Sequence, residues 1–193
     1  LNMHSMYGST FTPAQQVQRG FTLIETMVVV AIAAVLAALA APSFTPIVER
    51  WRIRSATESL QSALYLARSE AIKRGGSIVL RKEATGTNGC ALASGTSNWD
   101  CGWFVFVDAN NNGTQNTGEE VLQRFAIPTN LEVTRSANSE FIRFDRWGRS
   151  GPFGFALVPL GKSTSNSAAR GLCMSSGGRI RVTSDAAEIP CND

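Results

Sequence analysis

The sequence predicts an α+β fold in which a long N-terminal helix, part membrane-embedded and part amphipathic, packs on an antiparallel β-sheet head. Three observations carry this. Residues 21–41 are apolar apart from Glu25 and two threonines. Residues 53–71 hold apolar side chains at helical spacing, and beyond Gly76 short β-branched and aromatic runs alternate with Gly, Asn and Ser turns. At 193 residues and 44% apolar content the chain has material for one domain with a real core.

The first element is the apolar run. Residues 1–20 are polar and contain no apolar core of their own, and Arg19 and Gly20 precede the apolar stretch rather than follow it. An ordinary secretory signal has the opposite order, so cleavage after Gly20 retains the apolar segment. A helix over 21–41 is about 30 Å long, the thickness of a bilayer's hydrocarbon core. Pro42 and Pro46 are expected to close it with a kink or a locally melted stretch.

Glu25 stands out within that run, because a carboxylate inside a membrane span costs roughly 2.5 to 3.5 kcal/mol. Once Gly20 is removed, the α-amino group of Phe21 is a cation four residues away, available to Glu25 of a neighbouring subunit. The plainer alternative is a carboxylate that snorkels to the headgroups.

Helical character resumes at about Ile47 and runs to Arg74. Ile53, Ala56, Leu60, Leu64, Ala67 and Ala71 form one apolar stripe, and Glu49, Arg50, Arg52, Arg54, Glu58 and Lys73 occupy the other face. Gly75 and Gly76 supply the stop. Seven strands are then expected, at 77–81, 103–107, 121–125, 131–135, 141–144, 155–158 and 179–183, forming a sheet folded onto the stripe.

The four cysteines, Cys90, Cys101, Cys173 and Cys191, lie in loop-like surroundings without CxxC pairs, which argues against zinc. If the head faces an oxidising compartment such as the periplasm, two disulfides follow, and sequence proximity favours Cys90 with Cys101 and Cys173 with Cys191. The only histidine, His4, lies ahead of Gly20, so no Ser/His/Asp or Cys/His constellation can be assembled. Neither catalysis nor a cofactor is expected.

Arg19-Gly20-Phe21-Thr22-Leu23-Ile24-Glu25 resembles the prepilin peptidase motif of type IV pilins and type II secretion pseudopilins. The tract from Leu64 through Ala67-Arg68-Ser69-Glu70-Ala71 is similar to that of the GspH/FimT group of minor pilins and pseudopilins, and Pro42 falls where pilins commonly carry a proline. The resemblance implies the type IV pilin fold, cleavage after Gly20 by a prepilin peptidase, N-methylation of Phe21 and a registry role for Glu25 in assembly. It implies a single-pass inner-membrane protein with a periplasmic head that joins other pilins or pseudopilins in a filament, at the cell surface or in the periplasm. The chain then divides into a leader (1–20), a transmembrane and polymerisation segment (21–46), an amphipathic helical half (47–75) and a β-rich head (76–193).

Two features of the head suggest ligands. Asp108, Asn110, Asn112, Gly113, Thr114, Asn116 and Glu119 match the D-x-[DN]-x-[DN]-G-x5-E spacing of calcium loops, but the flanks are strand-like and a turn-rich hairpin accounts for the same residues without metal. The other feature is charge. Net charge is only +3, yet residues 141–181 hold seven basic residues against Asp145, a local +6. Gly178-Arg179-Ile180-Arg181 is similar to a motif of FimT-type minor pilins that bind DNA in natural transformation. That resemblance makes Arg179 and Arg181 candidate DNA contacts, with Arg170 and Lys162 as further candidates. Arginines on strands also form surface ion pairs or cover apolar surface with their stems.

Overall fold

The computed structural model describes residues 20–40, 44–87 and 90–191. Arg19, Pro42 and the expected leader up to residue 19 lie outside them. The chain separates into two compact units, divided after Pro42, and each is taken by itself.

The first unit contains α1, Leu23–Ala40. Its start is set by Thr22, whose Oγ1 accepts the backbone N–H of Glu25 at 3.3 Å. The Thr-x-x-Glu spacing is that of a capping box, so Glu25 occupies the third helical position, where a carboxylate complements the positive helix end. The expected 21-residue span is therefore shorter in the structure: α1 has 18 residues, about 27 Å. Among the described residues no helix is long and apolar enough to cross a membrane. The helix is nevertheless apolar on every side, with Leu23, Val30, Val35 and Leu39 all at least 60% exposed.

The second unit opens with α2, Thr45–Arg74. Pro46 does not close the preceding helix; it lies in the first turn of α2, where the missing N–H has no helical acceptor to serve. At the other end Gly75 takes φ +79° and the N–H of Gly76 donates to the Ala71 carbonyl at 2.8 Å. Every residue of the predicted stripe, from Ile53 to Ala71, is buried, together with Thr57 and Ala63. Burying Leu60 and Leu64 completely stabilises the fold by about 2 kcal/mol each.

The strands form two four-stranded antiparallel sheets rather than one. The first has the order β3-β2-β1-β5, from Val121–Phe125, Trp103–Val107, Ile78–Lys82 and Phe141–Phe144. The second has the order β4-β6-β7-β8, from Leu131–Arg135, Phe153–Pro159, Arg170–Met174 and Ile180–Thr183. One main core gathers the α2 stripe, the inner residues Ile78, Leu80, Val105 and Phe144, and Phe155, Leu172 and Met174 of the second sheet. The outer face of the first sheet carries a smaller cluster of Val79, Phe104 and Phe106.

Two disulfides pin loops to these sheets. Cys90 joins Cys101 with Cα atoms 5.4 Å apart, and Cys173 of β7 joins Cys191 across 5.5 Å. The second bridge lays the C-terminal segment over the outer face of β6 and β7. Room for it comes from Gly154, where a Cβ would stand 2.9 Å from the Cys191 backbone nitrogen, and from Gly171, where one would meet Thr183 and Ile189.

Candidate functional site

Gly20 and Phe21 precede α1 outside any regular element, both exposed, Phe21 at 81%. Glu25 follows in the first turn, also exposed. These three residues occupy the accessible beginning of a helix with no polar face, so the Gly20–Phe21 peptide bond and the apolar sides of α1 are all exposed.

In the head, the basic residues divide. Arg179 precedes β8, and Arg181 pairs in register with Cys173. Both arginines line a shallow concavity with Ser175 and Ser176. Arg181 donates to Glu188 Oε2 at 2.6 Å, while Arg179 has no ion-pair partner among the described residues. Arg170 is on the opposite face of the sheet, since side chains alternate along β7, and it lines a groove beside Arg50 and Arg54 of α2. Its guanidinium donates to the Ser167 and Ala169 carbonyls. Lys162 follows β6, at the end of the sheet remote from the β7–β8 turn. The four candidates are thus not one patch, because period-two alternation and antiparallel pairing send Arg170 and Lys162 elsewhere.

The β7–β8 turn is instead neighboured by the connection between β5 and β6. Asp145 organises that connection: its Oδ1 accepts the N–H groups of Trp147 (2.9 Å) and Arg149 (2.8 Å), and its Oδ2 accepts from Arg149 Nε at 3.0 Å. The hydrogen bonds from Arg149 and Trp147 hold the Asp145 carboxyl below its ordinary pKa. A second concavity, lined by Arg143, Asp145, Arg149 and Ser176, shares Ser176 with the first.

Arg68 of α2 binds both turns. Its Nη1 donates to the Gly178 carbonyl at 2.5 Å, and a Cβ on Gly178 would stand 2.9 Å from that same nitrogen. On Gly148 a Cβ would come within 2.7 Å of Arg68 Cγ. Both glycines have positive φ, +79° and +69°. Sequence reading had Arg68 only as part of a family-like tract; paired Gly-containing turns flanking arginines were the available signal.

The asparagine-rich loop is held by arginines of the first sheet. Asp108 is fully buried, and its carboxylate accepts the N–H groups of Asn112 and Gly113 and pairs with Arg143 Nη2 at 3.0 Å. Arg143 also donates to the Asn111 carbonyl, and Arg81 to the Gly113 carbonyl. Glu119 accepts from the N–H groups of Ala109 and Asn116; Asn110 and Asn112 accept from Asn112 and Thr114. Asn116 Oδ1 accepts both asparagine amides. The side-chain oxygens of Asp108, Asn110, Asn112, Asn116 and Glu119 are thus engaged by the loop's own donors, and the buried charge by a guanidinium. No group of three or more acidic, Cys or His ligands with metal-binding geometry occurs among the described residues.

An amphipathic helix buried against antiparallel sheets, preceded by a separate apolar helix with a glycine and phenylalanine at its entrance, defines the pilin class of α+β subunits. The profile of the family described as type II transport protein GspH matches residues 56–178, and this chain belongs to that family. The prokaryotic N-terminal methylation motif matches residues 16–41. The pilin-like protein PilA1 of Thermus thermophilus is 33% identical over 103 residues, which is 53% of this chain and 56% of that protein, so the match spans little more than half of that relative. Two crystal forms of the type IV minor pilin FimU from Pseudomonas aeruginosa share the fold. One has TM-score 0.52 at 22% identity, covering 72% of this chain and 92% of that one. The other has TM-score 0.50 at 23% identity, covering 69% and 94%.

Proposed function

We propose that this protein is a minor pilin or pseudopilin subunit, inserted through its N-terminal segment into a type IV pilus or a type II secretion filament. The observation that carries the reading is α1: an 18-residue helix whose apolar side chains are exposed on every face. So much unburied apolar surface is accounted for by a bilayer before assembly and by neighbouring helices afterwards. In this reading a prepilin peptidase cuts between Gly20 and Phe21, Phe21 is N-methylated, and the segment anchors the protein in the inner membrane with its head in the periplasm. Glu25 then meets the new α-amino group of an adjacent subunit. The role is structural, without catalysis.

The test is direct. Mass spectrometry of the processed protein gives Phe21 as the first residue, carrying one methyl group. Glu25→Ala blocks recovery of the subunit in sheared filaments while leaving membrane levels unchanged. A mature protein starting at another residue overturns the reading.

A second reading is favoured by one observation, the concavity shared by Arg179 and Arg181 with Arg179 lacking an ion-pair partner among the described residues. On this reading the head captures duplex DNA through its phosphates, without sequence preference and with affinity falling steeply as salt rises. Retardation of duplex DNA by the full chain in detergent, lost in the Arg179→Ala/Arg181→Ala double variant, is the expected result. Unchanged retardation removes these arginines as the site.

A further inference from the structure

Trp147 is 66% exposed, although an indole is the side chain with most to gain from burial. It is not on a loose loop. Asp145 accepts its backbone N–H, Gly148 behind it is packed on Arg68 and Ile72, and Gly76 abuts the backbone of Arg146 ahead of it. The turn is therefore fixed with the indole outside.

Its surroundings are cationic. Arg146 and Arg149 flank it in sequence; Arg179 ends the other turn bound by Arg68, and Arg181 follows in β8. The concavities of the two turns meet at Ser176. Arg149 and Arg181 are paired with Asp145 and Glu188, while Arg146 and Arg179 have no ion-pair partner among the described residues. An exposed indole on a fixed turn, with an uncompensated guanidinium on that turn and another at the neighbouring one, matches a ligand with both π-faces and regularly spaced negative charge.

The geometry points to single-stranded nucleic acid as a ligand of this two-turn surface, with an unpaired base stacked on Trp147 and the adjoining phosphates on Arg146, Arg179 and Arg181. This rests on the nucleic-acid reading of Arg179 and Arg181 and extends it to a strand type. Bases in a duplex are already stacked on their neighbours and cannot use the indole, whereas an unpaired base can, whatever its identity. Phosphate contacts are common to both forms. The single strand is thus held by one contact more than the duplex.

The experiment uses the full chain in detergent and fluorescein-labelled probes, an oligo-dT of about 20 nucleotides and a mixed-sequence duplex of the same length, long enough to cover one binding site. Wild type binds the single strand more tightly. Trp147→Ala weakens oligo-dT binding by roughly tenfold, the scale of one lost base stack, and leaves duplex binding unchanged. Trp147→Phe retains most of the single-strand affinity. In a Trp51→Phe background the other two tryptophans, Trp99 and Trp103, are fully buried, so oligo-dT quenches emission from Trp147 alone. Equal oligo-dT affinity for wild type and Trp147→Ala, or no quenching, overturns the inference while the duplex reading stands. Failure of wild type to bind either probe overturns both. Loss of filament recruitment in Trp147→Ala with nucleic-acid binding intact reassigns the indole to a protein contact and also overturns it.

Discussion

Arg68 donates a 2.5 Å hydrogen bond to the carbonyl of Gly178, tying the C-terminal part of α2 to a turn 110 residues further along the chain. The turn leads directly into Arg179 and Arg181, so the helix that supplies the core also sets the position of the exposed arginines.

Removing this tie is expected to loosen both turns. Arg68→Ala costs about 1.5–3 kcal/mol, the range for a hydrogen bond to a charged group. Gly178→Ala is destabilising for a separate reason, since it combines a left-handed backbone with a Cβ 2.9 Å from Arg68 Nη1. Thermal melts of the two variants give each cost, and the double variant loses less than their sum because the steric conflict disappears with the arginine.

Arg143 neutralises the fully buried carboxylate of Asp108. Arg143→Met leaves that charge unpaired and is expected to cost about 3 kcal/mol, at the lower end for a broken buried pair because Arg143 is partly exposed. Millimolar calcium then raises the melting temperature of Arg143→Met and not that of wild type, in which the guanidinium already compensates the charge. Equal calcium responses refute this account of the loop.

Asp100 lies in the interior, where its Oδ1 accepts the N–H of Val133, and burial pushes its pKa above the usual carboxylate value. The folded form therefore binds the proton more tightly than the unfolded chain does. Stability falls as pH rises from the unfolded pKa through the folded one, and the penalty is fully present at neutral pH. Asp100→Asn keeps an acceptor for Val133 and raises the melting temperature at pH 7, an advantage that vanishes below the unfolded pKa, near pH 3. Melts at the two pH values check the sign.

The bridge between Cys173 and Cys191 closes a separation of 18 residues. Replacing both cysteines by serine is expected to cost about 3 kcal/mol, or roughly 10 °C in melting temperature for a domain of this size. Limited proteolysis then cuts the segment containing Ala186–Glu188 before the rest of the head.

Period decided what the sequence disclosed. The α2 stripe was legible because Ile53, Leu60 and Leu64 recur with helical spacing, and β2 to β5 because their β-branched and aromatic residues are bounded by turn formers. Strand β7 was not: Arg170-Gly171-Leu172-Cys173-Met174 has no β-branched residue, and its glycine is there to admit Ile189. Pro46 was misplaced since a proline ending one helix and a proline opening the next are the same residue in a string; only the start of α2 at Thr45 distinguishes them. At the candidate site, Arg179 and Arg181 were legible as neighbours. Their separation from Arg170 and Lys162, and the meeting of their turn with the β5–β6 connection, depend on strand pairing that no local pattern encodes.

The Cys173–Cys191 bridge also determines how the head bears load. Strand β8 lies at the sheet edge, and a pull on an unbridged C-terminus would unzip it from β7 one hydrogen bond at a time. With the bridge closed, the pull bypasses β8 and arrives at β7, which β6 and β8 pair on both sides, so two hydrogen-bond ladders resist it instead of one. One covalent link thus moves the load from an edge strand to an interior one.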